Sequence, residues 1–427
     1  MSNPLQLHIP RMASRRDVLR ALVVGAGIYA LGPLGKGMSV ALGAPRTNFK
    51  RLVVVNLLGG CDTLNMVIPV GLSQYYAARG AGAIAAPSAL DVNGVSGLYK
   101  LHPKLVRVQG LWNQGDALAV QRVGYPQADL SHFTSQDIYS LGVRGSFSPL
   151  HINRSGWVAR FADRYAATTL GAVSIGMGRP LDLTGGLRTN LTINSLAGLS
   201  ISGSDTQRIQ ATRDVIQAAP TAGLSYEAKE ALQAAYDLAD QVQAASASHQ
   251  TYLTSTGLSY PQTAIGQRLR DVAGMIYSGF DTRLFYTGMA NNAEFDTHAN
   301  QLSMHNTLFG QLDTALGVFY DEMNALGTWN DVAIIVITEF GRRTNFNGSG
   351  TDHGHAFASL VLGGNVNGGA SKGPDLTTAD LTNGTGYLSY AVDFRSLYKE
   401  LIERHMGNDP APIFPEALQI DGYVGLM

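Results

Sequence analysis

The sequence predicts an α/β fold in which a central, mostly parallel sheet is flanked by helices and carries a helical insertion. Three observations predict it. Apolar runs rich in β-branched residues, such as Val332 to Ile337, lack polar alternation, as do strands buried on both faces of a parallel sheet. Stretches with helical apolar spacing separate these runs. Polar clusters containing Asp, Glu and His begin where the runs end, which is where ligands sit in open α/β sheets.

Length and composition set the outer limits. With 427 residues the chain can build one large α/β domain with an insertion, or two domains. A net charge of −1, with no basic run beyond the N-terminal region, argues against a nucleic-acid binder. The 49 glycines and a charged fraction of 15% suit many tight strand-to-helix turns around a large interior. A single cysteine, Cys61, rules out an intramolecular disulfide, so stability must come from the core or from metal.

At the N-terminus, Ser14-Arg15-Arg16-Asp17-Val18-Leu19 precedes a weakly apolar, glycine-containing stretch to Ala44. This looks like a twin-arginine export signal, with cleavage expected after Ser39-Val40-Ala41. Residues 1–44 are therefore expected to be a signal peptide and 45–427 the exported domain. No later stretch approaches the roughly 20 apolar residues of a membrane span. The mature protein is expected in the periplasm or outside the cell, delivered folded by the twin-arginine translocation machinery.

In chain order, Arg51 to Leu58 reads as a buried strand running into Gly59-Gly60-Cys61-Asp62, where Asp62 either caps a turn or serves a site. Gln74 to Arg79 reads as a short helix, and a second opens near His102-Pro103 and reaches Trp112. Ala117 to Val123 is the next strand. Ser131 stands at the N-cap position of a helix through Ile138 and Tyr139, where a hydroxyl can either cap or attack an anion. Around 157–265 lies a strand-like run, Gly171 to Gly176, followed by a Ser/Gly-rich stretch and Ala-rich helical sequence, read as a cap or insertion. Thr282 to Gly288 is a further strand, leading to Asp296, His298 and His305 and then a helical apolar stripe through Met323. Asp393 begins a last helix.

The chemistry concentrates between Thr338 and Ala356, which follows the Val332 to Ile337 strand. Asn347-Gly348-Ser349-Gly350 can fold the second half of this stretch, with Asp352, His353 and His355, back over the first, with Glu339, Arg342 and Arg343. His132, His298, His305, His353 and His355 all fall in strand-end segments. Imidazole nitrogen and carboxylate oxygen are ligands for zinc and similar ions, with Asp62, Asp296, Glu339 and Asp352 available as the acids. The same residues can equally form hydrogen-bonded His–carboxylate pairs without metal. Arg342 or Arg343 could clamp an anionic oxygen, and Cys61 reads as a small buried residue.

Five segments together carry a resemblance: Leu-Val-Val-Val-Asn-Leu-Leu-Gly-Gly-Cys-Asp-Thr-Leu-Asn, Ser-His-Phe-Thr-Ser-Gln, Phe-Asp-Thr-His-Ala-Asn-Gln, Thr-Glu-Phe-Gly-Arg-Arg and Thr-Asp-His-Gly-His-Ala. The chain resembles the domain-of-unknown-function 1501 family, placed in the alkaline phosphatase-like superfamily with phosphatases, sulfatases and phosphomutases. That resemblance implies metal ligands at strand ends, with Asp62, Asp296, His298, His305, Glu339, Asp352, His353 and His355 as candidates. It also implies a hydroxyl nucleophile at Ser131, with Thr134 and Ser135 as rivals, assisted by Arg342. Phe340 stands where the superfamily usually has a histidine, so the resemblance implies an incomplete two-zinc site, one that holds a single ion, recruits Asp352 or His353 instead, or has lost catalysis. The implied function is a metal-dependent, sulfatase-like hydrolase of small anionic phosphate or sulfate esters. The alternative is an exported scaffold or binding protein that keeps the fold around a degenerate metal site.

Overall fold

The first strand shows how the sheet is built. In β1 (Arg51–Leu57) every residue is buried, and successive side chains enter opposite cores. Val53, Val55 and Leu57 join one apolar cluster, whereas Leu52 and Val54 join the other. The computed structural model describes residues 49–144, 155–178, 180–187, 190–198, 226–289, 294–414 and 422–427, with side chains in the long helix described from 238 onward. Residues 1–44, read from sequence as a twin-arginine signal, and the Ser/Gly-rich stretch beyond residue 198 lie outside the described residues.

The other described strands are β2 (Val67–Ile68), β3 (Leu90–Asp91), β4 (Lys100–Leu101), β5 (Ala117–Gly124), β6 (Ala172–Ile175), β7 (Leu191–Ile193), β8 (Leu284–Met289), β9 (Val332–Ile337), β10 (Phe357–Gly363), β11 (Ser371–Lys372) and β12 (Val392–Asp393). The main sheet runs β11-β5-β10-β9-β1-β8-β6-β7, with β12 also on β5, and β2, β4 and β3 form a small separate sheet. Strands β9, β1, β8, β6 and β7 are mutually parallel. Among the described strands of the main sheet, only β10 runs against its neighbours, β9 and β5. The sheet is thus mixed but mostly parallel, as expected, and β6 and β7 from the 157–265 stretch extend it.

Helices cover both faces. Val106–Gln114, Ala264–Tyr277 and Gln301–Ala325 pack Trp112, Leu269 and Leu312 into one core. His132–Leu141, Trp157–Tyr165 and Phe394–Glu400 pack Ile138, Trp157 and Leu397 into the other. No helix among the described residues is long and apolar enough to cross a membrane. The fully buried Glu400 carboxylate fastens the chain's last residues, accepting the amides of Val424 and Gly425 on Oε2 and those of Leu426 and Met427 on Oε1.

Among the buried histidines, His305 and His405 help to give the fold a pH limit. Burial pushes His305 down to about 3 and His405 down to about 4, from an ordinary value near 6.5. His405 Nε2 donates to the Arg51 carbonyl at 3.0 Å, while Nδ1 has no hydrogen-bond partner. Both rings are neutral when folded at pH 5 and protonated when unfolded, so the unfolded state binds more protons. Stability from these groups is complete above pH ~6.5 and is lost as pH falls, by up to about 1.4 kcal/mol per pH unit for each ring. In a His305→Gln/His405→Gln variant, proton uptake on unfolding at pH 5 should fall by about two. Measuring unfolding free energy against pH checks this, and an unchanged slope would mean that the rings are charged in the native state.

Candidate metal centre

The direction of β10 gathers the site. Because β9 and β10 are antiparallel, the connection between them leaves and returns at the same rim of the sheet, and an isolated antiparallel bridge between Arg342 and His353 pairs its two arms. Gly354 lies against the Arg342 backbone, where a Cβ would come within 2.4 Å of its carbonyl carbon. The turn after β1 comes in beside this hairpin. Gly60, at φ 69°, packs so tightly on Phe340 that a Cβ would lie 2.3 Å from the ring. The segment after β8 brings Asp296 and His298, and the helix after β5 brings His132 in its first turn.

Asp296 is the point of convergence. His298 Nε2 lies 3.0 Å and His353 Nε2 3.1 Å from Asp296 Oδ1. His132 Nε2 lies 3.4 Å from Oδ2, yet it makes no hydrogen bond and is a buried polar atom without a partner. One ligand atom from each of His132, Asp296 and His353 falls within 4.8 Å of the others, and His298 Nε2 is 3.2 Å from His353 Nε2. Each ring is held from behind by an oxygen. His132 Nδ1 is 2.7 Å from Glu339 Oε1, His353 Nδ1 2.8 Å from the Leu130 carbonyl, and His298 Nδ1 3.2 Å from Asp352 Oδ1. A ring that donates through Nδ1 keeps its Nε2 lone pair free, which is how metal-binding histidines are commonly prepared.

The charges fit this arrangement. Burial works to raise the Asp296 carboxyl, but the Arg342 guanidinium bonded to it, with the His353 ring alongside, outweighs this and holds the group down at about 2. Burial likewise opposes ionisation of Glu339, and its bond to His132 wins, keeping it below the usual range. The same bond raises His132. A proton on His132 and a cation at Nε2 would therefore compete for one position.

Of the residues singled out from sequence, Asp296, His298 and His353 come together. Glu339 and Asp352 stand one layer out, as holders of His132 and His298. Asp62 is elsewhere: its carboxylate is fully buried and taken by Arg79, whose Nη1 and Nη2 donate at 2.8 and 2.6 Å, and by Gln301 Nε2. His305 is sealed in the core, 3.1 Å from Thr297 Oγ1 and edge-on to Phe295 and Phe309. His355 stacks on Tyr387 at 4.3 Å. Arg342 is not an anion clamp, because its buried guanidinium is spent on carbonyls and on Asp296. Arg343 lies over Tyr387, 4.5 Å from the ring centre.

Among the hydroxyls, Ser131 caps the helix as expected, accepting the Thr134 amide at 3.4 Å. Ser135 is buried, with its hydroxyl on the Asp129 carbonyl and Tyr125, which removes it as a nucleophile. Cys61 is fully buried, and burial pushes its thiol well up. His132 stands among the strand-end histidines, and the resemblance implies no role for it. Its signal was its place, one residue past a helix cap at the end of a strand.

With this geometry in hand, comparison with known proteins places the chain. It belongs to the family described as a protein of unknown function, DUF1501, whose model matches residues 121–415. No curated protein matches the sequence. Among solved structures it is similar to a protein in the alkaline phosphatase superfamily from Vibrio parahaemolyticus, at 10% identity over 93% of this chain and 76% of that one, TM-score 0.35. It is also similar to a phosphonate monoester hydrolase from Silicibacter pomeroyi, at 9% identity over 88% and 76%, TM-score 0.41. A third is the C-terminal periplasmic domain of EcEptC from Escherichia coli, at 7% identity over 90% and 94%, TM-score 0.38.

Proposed function

We propose that the chain is an exported, metal-dependent hydrolase of phosphate or sulfate esters, centred on His132, Asp296, His298 and His353. The observation that supports this is the shared preparation of three imidazoles, each held at Nδ1 by an oxygen and directing Nε2 to the region of Asp296. Nitrogen and carboxylate donors of this kind suit zinc or a similar divalent ion, and the unpartnered His132 Nε2 is an atom that a cation would satisfy.

A bound ion would supply the positive charge that polarises a phosphoryl or sulfuryl oxygen. The chain's own residues do the rest. Glu339, Asp352 and the Leu130 carbonyl keep the rings in one tautomer. Ser131, half-buried beside His132, is the proposed nucleophile: its Oγ bonds to phosphorus or sulfur, its proton leaves with the departing alcohol, and water then releases the acid. The free amides at the helix N-terminus favour the negative charge that gathers there.

The second reading, a scaffold with a degenerate site, is favoured by one observation: Asp62 is neutralised by Arg79 and so is withdrawn from metal binding. Elemental analysis together with turnover of an aryl phosphate and an aryl sulfate separates the two. The hydrolase reading expects bound divalent metal, and activity lost on chelation and in Ser131→Ala. Metal-free protein that turns over neither ester would overturn it.

Export through the twin-arginine pathway is part of the same proposal and rests on Arg15-Arg16 and the apolar stretch after them. An Arg15→Lys/Arg16→Lys variant should stay in the cytoplasm on cell fractionation. Unchanged export would defeat the assignment.

A further inference from the structure

We infer that Arg342 is the positioning residue of this centre, a buried guanidinium that fixes Asp296 against the three imidazoles and brings the positive charge a second ion would otherwise supply, so that the centre takes one ion. This rests on the metal reading above.

The argument starts from what holds the guanidinium. Its Nε donates to the Gly60 carbonyl at 2.5 Å and Nη1 to the Thr351 carbonyl at 2.8 Å. Nη2 is shared among the carbonyls of Gly59 and Phe295 and Asp296 Oδ1, the last two at 3.0 and 2.7 Å. These acceptors belong to three chain segments: the turn after β1, the approach to Asp296 after β8, and the arm returning to β10. One planar fork therefore sets the relative positions of all three, which a lysine's single ammonium could not do. Only its bond to Asp296 reaches the centre.

Charge pairing points the same way. Strands β9, β1 and β8 are neighbours in the sheet, and the acid that follows each has a cationic or imidazole partner. Asp62 has Arg79, Glu339 has His132, and Asp296 has Arg342 together with the rings. Behind Arg342 the network continues into the interior, where Thr351 Oγ1 donates to Gln301 Oε1 at 2.6 Å and Gln301 donates to Asp62. A second divalent ion would have to displace a guanidinium whose side chain is 0% exposed. Loss of such a buried partner leaves its carbonyl acceptors unsatisfied, which resists the exchange.

The test uses full-length mature protein titrated with cobalt(II), read by visible absorption and by chelator competition, with thermal unfolding alongside. The parent should bind one equivalent. Arg342→Met should weaken binding about 10- to 100-fold, as expected when a residue supporting a ligand is removed, and should shift the cobalt absorption. Gln301→Leu, two steps further from Asp296 by way of Thr351, should lower the melting temperature and leave cobalt affinity and absorption as in the parent, so a loss of general stability is told apart from a loss of positioning. If Arg342→Met does not fold, Arg342→Lys, which keeps the charge and loses the fork, should show the weakened affinity and altered absorption. A parent holding two equivalents, or an arginine variant with the parent's affinity and absorption, overturns the inference while leaving the metal centre standing. A parent that binds no cobalt overturns both.

Discussion

Asp62→Ala should cost about 3–5 kcal/mol of folding stability, the range found when one partner of a buried ion pair is removed. The substitution leaves the Arg79 guanidinium in the interior with no carboxylate. Arg79 is 1% exposed and its Nε already lacks a hydrogen-bond partner, so it has no ready way to solvent. The loss should be equal with and without divalent metal, because Asp62 faces Arg79 and Gln301 and lies apart from the His132–Asp296 cluster. Replacing both partners, Asp62→Leu with Arg79→Met, should recover most of it, since an apolar pair of similar volume avoids the desolvation of two charges. Chemical denaturation of the three proteins, each with and without zinc, decides the matter. A loss confined to the metal-loaded form would return Asp62 to the centre.

His353→Ala should reduce zinc affinity by more than about 100-fold, because removing a ligand must exceed the 10- to 100-fold effect of disturbing a residue that supports one. Asp352→Asn, which only weakens the hold on His298, should fall near the low end of that range. His355→Ala should leave affinity unchanged, its ring being stacked on Tyr387. Chelator competition on the three variants tests the set. If His355→Ala were the damaging change, the centre described here would be wrong in its membership.

The strands that the sequence revealed most clearly, β1, β5 and β9, are those buried along nearly their whole length, because burial on two faces forces an unbroken apolar run. β10 escaped notice although it too is buried throughout. It follows directly on the polar Thr351 to Ala356 stretch, and its Ser359 interrupts the apolar run, with the hydroxyl satisfied by the Val336 carbonyl at 2.8 Å. Nor does any residue in it announce that it runs backwards, although that reversal is what closes the hairpin carrying Glu339 and His353.

The site was legible as a neighbourhood and less so as a membership list. Asp296, His298 and His353 were found because each stands just beyond or just before a strand. The partner of Asp62 was not, since Arg79 lies seventeen residues away at the end of a short amphipathic helix and looks like an ordinary surface arginine. His353 and His355 could not be told apart by spacing, because their divergence depends on how Gly354 packs on Arg342. Roles in a cluster are settled by what stands behind each ring, and that is long-range information.

The arrangement at Glu400 has a practical side. Four successive amides near the end of the chain are anchored to a single carboxylate in the interior, so residues 424–427 behave as a plug rather than a loose end. A purification handle fused directly after Met427 would pull on that plug. A label placed on the N-terminal side of β1 leaves it untouched.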